Sequence, residues 1–285
     1  MLAATPSTAR QEYPPFPRLL PPGRDVQGPY VTRFAGGPAD LDAVERLRFE
    51  VFNLELGEGL AASYATGRDE DPFDAACHHL IVEDAREGRV VGTYRMQTSE
   101  MAAAGIGFYA AGEFDLGRLP GGLVERSVEV GRACVALSHR NRHVLFLLWR
   151  GIAAYVTWNR KRYLFGCCSL TSQNPAEGAR AHARLLREGF AHPELRVEPL
   201  AGLECAPGGA AADLAEEVRL PVLFRTYLRH GALVCGPPAI DRAFGTIDFF
   251  TLLDTDAVAP DLRRLYFGSA PAGAGVPAAR RRRPR

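Results

Sequence analysis

The chain has 285 residues, of which 47% are hydrophobic and 24% charged, a balance that suits a soluble globular protein with a sizeable core and excludes a long disordered or fibrous one. A formal net charge of +1 excludes a molecule-wide field for nucleic acid, although five of the last six residues are arginine, so any basic contact has to be local. The six cysteines form no C-x-x-C pair and sit mostly in apolar runs, which points away from a zinc site and a disulfide framework and fits a reducing cytoplasm.

Residues 1–29 are interrupted by prolines and hold no apolar run of signal-peptide length; they read as a flexible lead-in. "YVTRFA" (30–35) is a short strand. "ADLDAVERLRFEVFNLELG" is a helix with Leu41, Val44, Leu47, Val51 and Leu54 as its apolar stripe and Gly57 as its stop. "HHLIVED" and "RVVGTYRMQT" make a two-stranded hairpin, "FYAAGEFDLGRLPGG" is a short helical segment and loop, and "SVEVGRACV" (127–135) is a central strand. Residues 141–159 form a second helix with Val144, Leu148, Ile152 and Val156 at spacing four; Arg150 interrupts its apolar stretch, which is shorter than the roughly 20 residues that cross a bilayer. "RYLFGCCSLT" is a buried strand. "NPAEGARAHARLLREGF" is a third helix, with proline near its start and glycine at its end. "LPVLFRTYLRHG" is helix-like, and "ALVCG" and "TIDFFTLLD" are strands. The repeated switch between period 2 and period 3.6 makes residues 30–267 one α/β domain, followed by a disordered Gly/Ala/Arg-rich tail at 268–285.

Inside the strand 127–135, Glu129 and Arg132 interrupt an apolar run. Strict alternation sends them to opposite faces, where each needs a partner, because an unpaired buried charge costs several kcal/mol. Arg48 on the buried side of the first helix, Asp71 and Asp74 in "EDPFDAACHH", and Arg95 in "VVGTYRM" are equally out of place. With Glu129 and Arg132 they make three acids and three arginines that could neutralise one another as a single cluster. The plainer alternative is an ion-pair network that holds a long loop on the sheet. His78 and His79 have no third ligand at a recognisable spacing and read as hydrogen-bonded strand histidines, with no metal site.

"LRFEVF", "DPFD", "GTYR" and "EVGR", in this order and at these spacings, resemble the acyl-homoserine-lactone synthases, which take acyl chains from acyl carrier protein and have a GNAT fold. The tryptophan that usually follows the first element there is absent. "FYAAGEFDL", "LLWRGIAAYV", "YLFGCCSLTS" and "YLRHGALVCGPPAIDRAFGTIDFFTLL" resemble the sister family of ornithine N-acyltransferases, long called hemolysin-like, which make lyso-ornithine lipid. This likeness spans about residues 30–260, and "CHH" at 77–79 departs from the family's cysteine-aspartate-histidine. It implies a GNAT-like fold with a mixed, splayed central sheet flanked by helices. It also implies an N-acyltransferase that moves a long, 3-hydroxylated acyl chain from acyl carrier protein to the α-amine of an amino acid, ornithine first.

Such a reaction needs no metal and no cofactor, only the carrier's phosphopantetheine thioester as donor, and positioning does most of the work. An α-amine has a reference pKa of about 8, so one carboxylate suffices to orient it and take its proton; Glu129 is expected in that role. Gly131 is expected to permit a local irregularity in the strand. Arg48, Asp71, Asp74, Arg95 and Arg132 are expected as the supporting network or the wall of the amine pocket. Where CoA-dependent enzymes have a glycine-rich turn for the pyrophosphate, this chain has "ALSHRNRHVLF". With His139 beside them, Arg140, Arg142 and His143 are expected to contact acyl carrier protein. The alternatives are an autoinducer synthase that uses S-adenosylmethionine and a non-enzymatic membrane-active protein. The expected location is cytoplasmic, with peripheral contact at the inner face of the membrane and no nucleic-acid partner.

Overall fold

The computed structural model describes residues 13–205 and 218–268. Residues 1–12 of the expected lead-in, and the expected tail from residue 269 on, lie outside the described residues. In chain order, β1 (Asp25–Gln27) and β2 (Tyr30–Phe34) form a hairpin, and α1 (Pro38–Phe49) follows, with Pro38 in its first turn. The helix runs directly into a π-helical stretch, Glu50–Leu56, closed by Gly57 in the left-handed region at φ 69°. This wider turn moves the apolar stripe off its 3.6 period. Leu41, Val44, Leu47 and Val51 are buried, whereas Leu54, expected to continue the stripe, is 62% exposed.

After α2 (Ser63–Thr66), a loop leads to the antiparallel pair β3 (His78–Asp84) and β4 (Arg89–Thr98). Then come α3 (Ser99–Ala104), short 3-10 turns at Tyr109–Gly112 and Leu116–Arg118, α4 (Gly121–Val124) and β5 (Ser127–Val135). The chain continues through α5 (Arg142–Trp158), β6 (Tyr163–Leu170), α6 (Pro175–Arg187), α7 (Val222–Arg229), β7 (Leu233–Val234), β8 (Ala239–Asp241), β9 (Thr246–Asp254) and α8 (Pro260–Phe267).

The described strands form one open sheet in the order β1-β2-β3-β4-β5-β6-β9-β7, with β8 also on β9. All neighbours are antiparallel except β5 and β6, which α5 joins by a crossover. That parallel pair is short: Ser127, Val128 and Glu129 match Tyr163, Leu164 and Phe165, and the strands then part. Two half-sheets result, each with its own core. One buries Leu80, Val91, Tyr94 and Met96 against Val44 and Leu47 of α1 and Val144, Leu148 and Ile152 of α5. The other buries Cys168 and Phe249 against Leu185 of α6 and Phe224 of α7, and Phe165 and Phe250 against Phe114. This is the mixed, splayed α/β sheet expected from the sequence.

From Tyr13 onward the proline-rich segment is packed, contrary to its reading as a flexible lead-in. Tyr13 is buried with its ring 6.2 Å from His79, and β1 extends the sheet. Prolines lack the N–H of a regular ladder, but their segment still offers carbonyls, and these are taken by side chains. The Pro15 carbonyl lies 2.6 Å from His78 Nε2, Trp158 Nε1 donates to Arg18 O at 3.1 Å, and Asn159 Nδ2 donates to Leu19 O at 2.9 Å. Among the described residues no helix is long and apolar enough to cross a membrane.

Candidate functional site

Arg48, in the last turn of α1, is fully buried. Its Nε donates to Asp69 Oδ2 at 2.7 Å, and its terminal nitrogens donate to Asp74 Oδ1 at 2.6 Å, to Asp74 Oδ2 at 2.9 Å and to the Asp69 carbonyl. Arg95 of β4 donates to Asp71 Oδ1 at 2.6 Å and to Asp74 Oδ1 at 3.0 Å. Arg132 of β5 donates to Asp71 Oδ2 at 3.1 Å and lies 3.3 Å from Asp69 Oδ2. The structure therefore brings Arg48, Asp71, Asp74, Arg95 and Arg132 together, as the sequence suggested. The third acid is Asp69, however, and not Glu129. Asp69 was missed because "GRDED" looks like a solvated charge run.

The set is neutral in sum, which is what permits three guanidinium groups in the interior. Burial alone would raise the Asp74 carboxyl, but Arg48 and Arg95 hold it well below the ordinary carboxylate range. The loop is fastened further by its own backbone, with Asp71 N donating to Asp74 Oδ2 at 2.8 Å and Phe73 N to Asp71 Oδ1 at 2.8 Å. His79 Nε2 lies 3.2 Å from the Asp74 carbonyl, and burial lowers both strand histidines to about 4.

Glu129 and Arg132 do not go to opposite environments. Arg95 pairs with Gly131 and Thr93 with Cys134, so one residue of β4 faces two of β5: a bulge, with Arg132 at φ 48°. The irregularity falls one residue beyond Gly131, where it was expected. Alternation is broken there, and both side chains reach Tyr109. The Arg132 guanidinium stacks 4.9 Å from the Tyr109 ring, and the Tyr109 amide donates to Glu129 Oε2 at 2.8 Å. The Ala110 amide donates to Glu129 Oε1 at 2.7 Å. Each carboxyl oxygen thus has a backbone donor, and among the described residues no arginine is bonded to Glu129. Burial raises this carboxyl, the two amides and Arg95 oppose that, and the outcome is a pKa of about 7.

Glu129 is also the last residue of β5 paired with β6. The strands diverge from there, although Val130 O still presses on Gly166, where a Cβ would stand 2.1 Å from that oxygen. A cavity of about 260 Å³ opens in the gap. Its polar wall includes Glu129, Arg132, Gln97 and Asp248, and its apolar wall includes Ile152, Leu164 and Phe224. Tyr94 and Tyr227 add a hydroxyl pair at 2.6 Å within that apolar wall.

Two polar residues of the wall escaped the sequence reading. Gln97, opposite Glu129 on β4, is 1% exposed, and neither side-chain amide atom has a hydrogen-bond partner among the described residues. Asp248 on β9 lies beside Glu113 and Cys167. Each breaks an apolar strand run, the same signal that singled out Glu129.

At the far end of β5, Arg140, Arg142 and His143 are exposed. Arg140 pairs with Glu55, at 2.7 Å to Oε2, and His143 packs edge-on against Tyr30. His139, expected beside them, is instead buried with Nε2 3.3 Å from Asp84. Asn141 caps α5, its side-chain oxygen accepting from the amides of His143 and Val144 at 3.0 Å each, so these donors are already used.

Residues 47–150 match the acetyltransferase (GNAT) domain family. The chain is 33% identical over 242 residues to the L-ornithine N(alpha)-acyltransferase of Brucella abortus (strain 2308), covering 81% of this chain and 86% of that protein. It is 33% identical over 261 residues to the protein of the same name from Agrobacterium fabrum (strain C58), covering 85% and 87%. The solved structure of the AHL synthase LasI aligns with a TM-score of 0.46 at 12% identity, over 86% of this chain and 98% of that one.

Removing Asp74 should leave three buried guanidinium groups facing only two carboxylates, Asp69 and Asp71. Asp74→Ala is expected to cost about 3–5 kcal/mol in denaturant unfolding. A double-mutant cycle of Asp74→Asn with Arg95→Met should show coupling of about 1 kcal/mol or more, and coupling near zero would rule out direct pairing. Asp74 binds its proton more weakly in the folded than in the unfolded chain. Its contribution is therefore present above the ordinary carboxylate pKa of about 4 and is lost as pH falls below it, a decline that Asp74→Asn should flatten.

Proposed function

The chain belongs to the L-ornithine N(alpha)-acyltransferase family of GNAT-domain acyltransferases, and from that premise we propose that it transfers a long 3-hydroxyacyl chain from acyl carrier protein to the α-amine of ornithine. The observation that carries this reading is the position of Glu129, a carboxyl with a pKa of about 7 at the vertex where β5 and β6 part and the cavity begins. The amine and the thioester meet at that vertex. Glu129 takes one proton from the α-ammonium, the free amine attacks the thioester carbon, a C–N bond forms, the C–S bond breaks, and the carrier's thiol leaves with a proton. The product is an N-acylated ornithine, a lyso-ornithine lipid.

Two features position the donor. Gln97 lies across from Glu129 with its amide unengaged and can donate to the thioester oxygen as negative charge develops there. The apolar wall suits an acyl chain, and the Tyr94–Tyr227 hydroxyl pair is a polar spot inside it that can take a 3-hydroxyl. The capped start of α5 leaves no open amide pair at His143 and Val144 for a pyrophosphate, whereas exposed Arg140, Arg142 and His143 suit the acidic face of a carrier protein. The arginine–aspartate network, on this reading, holds the cavity wall. The enzyme works in the cytoplasm and meets the membrane only peripherally, as its amphiphilic product leaves.

Glu129→Gln should lower turnover of ornithine with acylated carrier protein by roughly 10²–10⁴, with the fold intact. In the wild type kcat/KM should rise with pH through about 7, because the ionised carboxylate is the active form, and the variant should lose that limb. Activity within a few-fold of wild type would remove Glu129 from the role. Arg140→Glu combined with Arg142→Glu should raise KM for the acylated carrier and weaken its salt dependence while leaving acyl-CoA kinetics little changed; equal losses with both donors would mean misfolding. Tyr227→Phe should narrow the preference for 3-hydroxyacyl over unsubstituted acyl donors by about 5- to 10-fold in kcat/KM, the size of one hydrogen bond.

A further inference from the structure

Glu113 and Asp248 are 5% and 3% exposed, and among the described residues Glu113 Oε1 and Asp248 Oδ1 have no hydrogen-bond partner. Their carboxyl oxygens and the Cys167 sulfur lie within 4.8 Å of one another, and Cys167 Sγ is 3.7 Å from Glu113 Oε2. Asp248 and Cys167 line the cavity that begins at Glu129. Two buried carboxyls side by side without a paired cation are unlike the arginine-matched acids of the neighbouring network. Burial, with repulsion from Asp248 and Asp241, pushes Glu113 up to about 10 against the pull of Arg132; burial and Asp241 raise Asp248, which Ser169, Glu113 and Thr246 oppose. Nearby acids add to the imbalance: Glu58 is bonded to Thr171 Oγ1, and Asp241 Oδ2 accepts from Tyr109 Oη at 2.9 Å.

Register fixes the direction in which this pair lies. Glu129 faces Phe165 in the parallel pairing, Cys167 is two residues further along the same face of β6, and Asp248 is opposite Ser169, two residues beyond that. Asp248 is thus four residues along from the level of Glu129, roughly 13 Å, but its carboxyl and that of Glu113 lie within 4.8 Å of the Cys167 sulfur, which is two residues and roughly 6–7 Å along. The α- and δ-nitrogens of an extended ornithine are about 6 Å apart at standard bond lengths. From these observations, and resting on the acceptor reading above, we infer that Glu113 and Asp248 form the specificity pocket for the cationic end of the acceptor's side chain, holding its ammonium while Glu129 addresses the α-amine. The pocket selects amino acids with an amine-bearing side chain of about ornithine's length. A neutral side chain would leave both acids without a counter-charge.

The test is competition among L-ornithine, L-lysine and L-norvaline, the last being ornithine's carbon chain without the δ-amine. Each is assayed with the full chain, with 3-hydroxyacyl groups supplied on acyl carrier protein and on CoA. Wild type should favour ornithine over norvaline by 100-fold or more in kcat/KM, and Asp248→Asn and Glu113→Gln should each cut that ratio about 10-fold or more. Both variants should melt close to the wild-type temperature, since each exchanges a carboxyl for a neutral amide of the same shape, so a lost preference at an unchanged melting temperature is not unfolding. Folded variants that keep the ornithine-to-norvaline ratio within threefold of wild type would overturn the pocket and leave ornithine acylation standing. Wild type that accepts norvaline as readily as ornithine would overturn it too. A chain that acylates a different amino acid and not ornithine would sink the acceptor reading alone. The same variants would then judge the pocket on the accepted substrate, which must be cationic and sensitive to both substitutions for the inference to survive.

Discussion

Arg48 is a full positive charge with no contact to solvent, and the architecture around the cavity depends on how that charge is met. A guanidinium presents its donors in one rigid plane, so its partners have little freedom of placement. Asp74 takes both terminal nitrogens, while Asp69 takes Nε through its side chain and one terminal nitrogen through its carbonyl. This fixes the loop before β3 against the end of α1. With Asp74 in place, its Oδ1 also accepts from Arg95, tying the loop to β4, and Asp71 passes the connection to Arg132 on β5. A helix, a loop and two strands are thereby set relative to one another by charge, in a region where apolar packing alone would tolerate sliding.

The bulge in β5 belongs to the same arrangement. A regular strand would send Arg132 away from Glu129; with φ at 48° it turns toward Asp71 and the Tyr109 ring. The bulged strand departs from β6 after Glu129, and the cavity is the space left between them. Glu129 therefore sits at the vertex through backbone geometry, outside the ion-pair set. Its two oxygens are satisfied by amides of the Tyr109–Gly112 turn, so burial can lift its pKa without leaving it unbonded. A direct arginine partner would have held it in the low range where Asp74 lies, too weak a base for an amine near neutral pH.

The sequence made the long periodic elements legible. Helices α1, α5 and α6 and strands β3, β4, β5, β6 and β9 follow from apolar spacing and from their proline and glycine boundaries. Five members of the charged network were legible as well, because an arginine or aspartate in apolar company needs a partner. Asp69 was not, since an acid in a polar loop gives no sign of burial. The bulge was legible to within one residue: glycine is where the rule locates a left-handed conformation, which pointed to Gly131, and only cross-strand register shows that it falls on Arg132. Leu54 was misplaced because a π turn leaves no mark in a 3.6-residue pattern. The packing of residues 13–29 was missed because their carbonyls bond side chains about 60 to 140 residues away, a relation that local pattern cannot hold.

A buried charge has to be matched, and where the match comes from separates a structural centre from a receptive one. In the Arg48 centre each acid finds an arginine of the same chain, so the set is complete before any ligand arrives and responds to substitution as a unit. In the Glu113–Asp248 pair no arginine is bonded among the described residues, and the acids hold their protons more tightly instead. That state is stable but unsatisfied: an entering ammonium can displace a proton and supply the missing charge, whereas a neutral group cannot. Arg95 and Arg132 of the first centre and Asp248 of the second line one cavity. One fixes the shape of the wall because its charges are balanced, and the other can discriminate among acceptors because its charges are not.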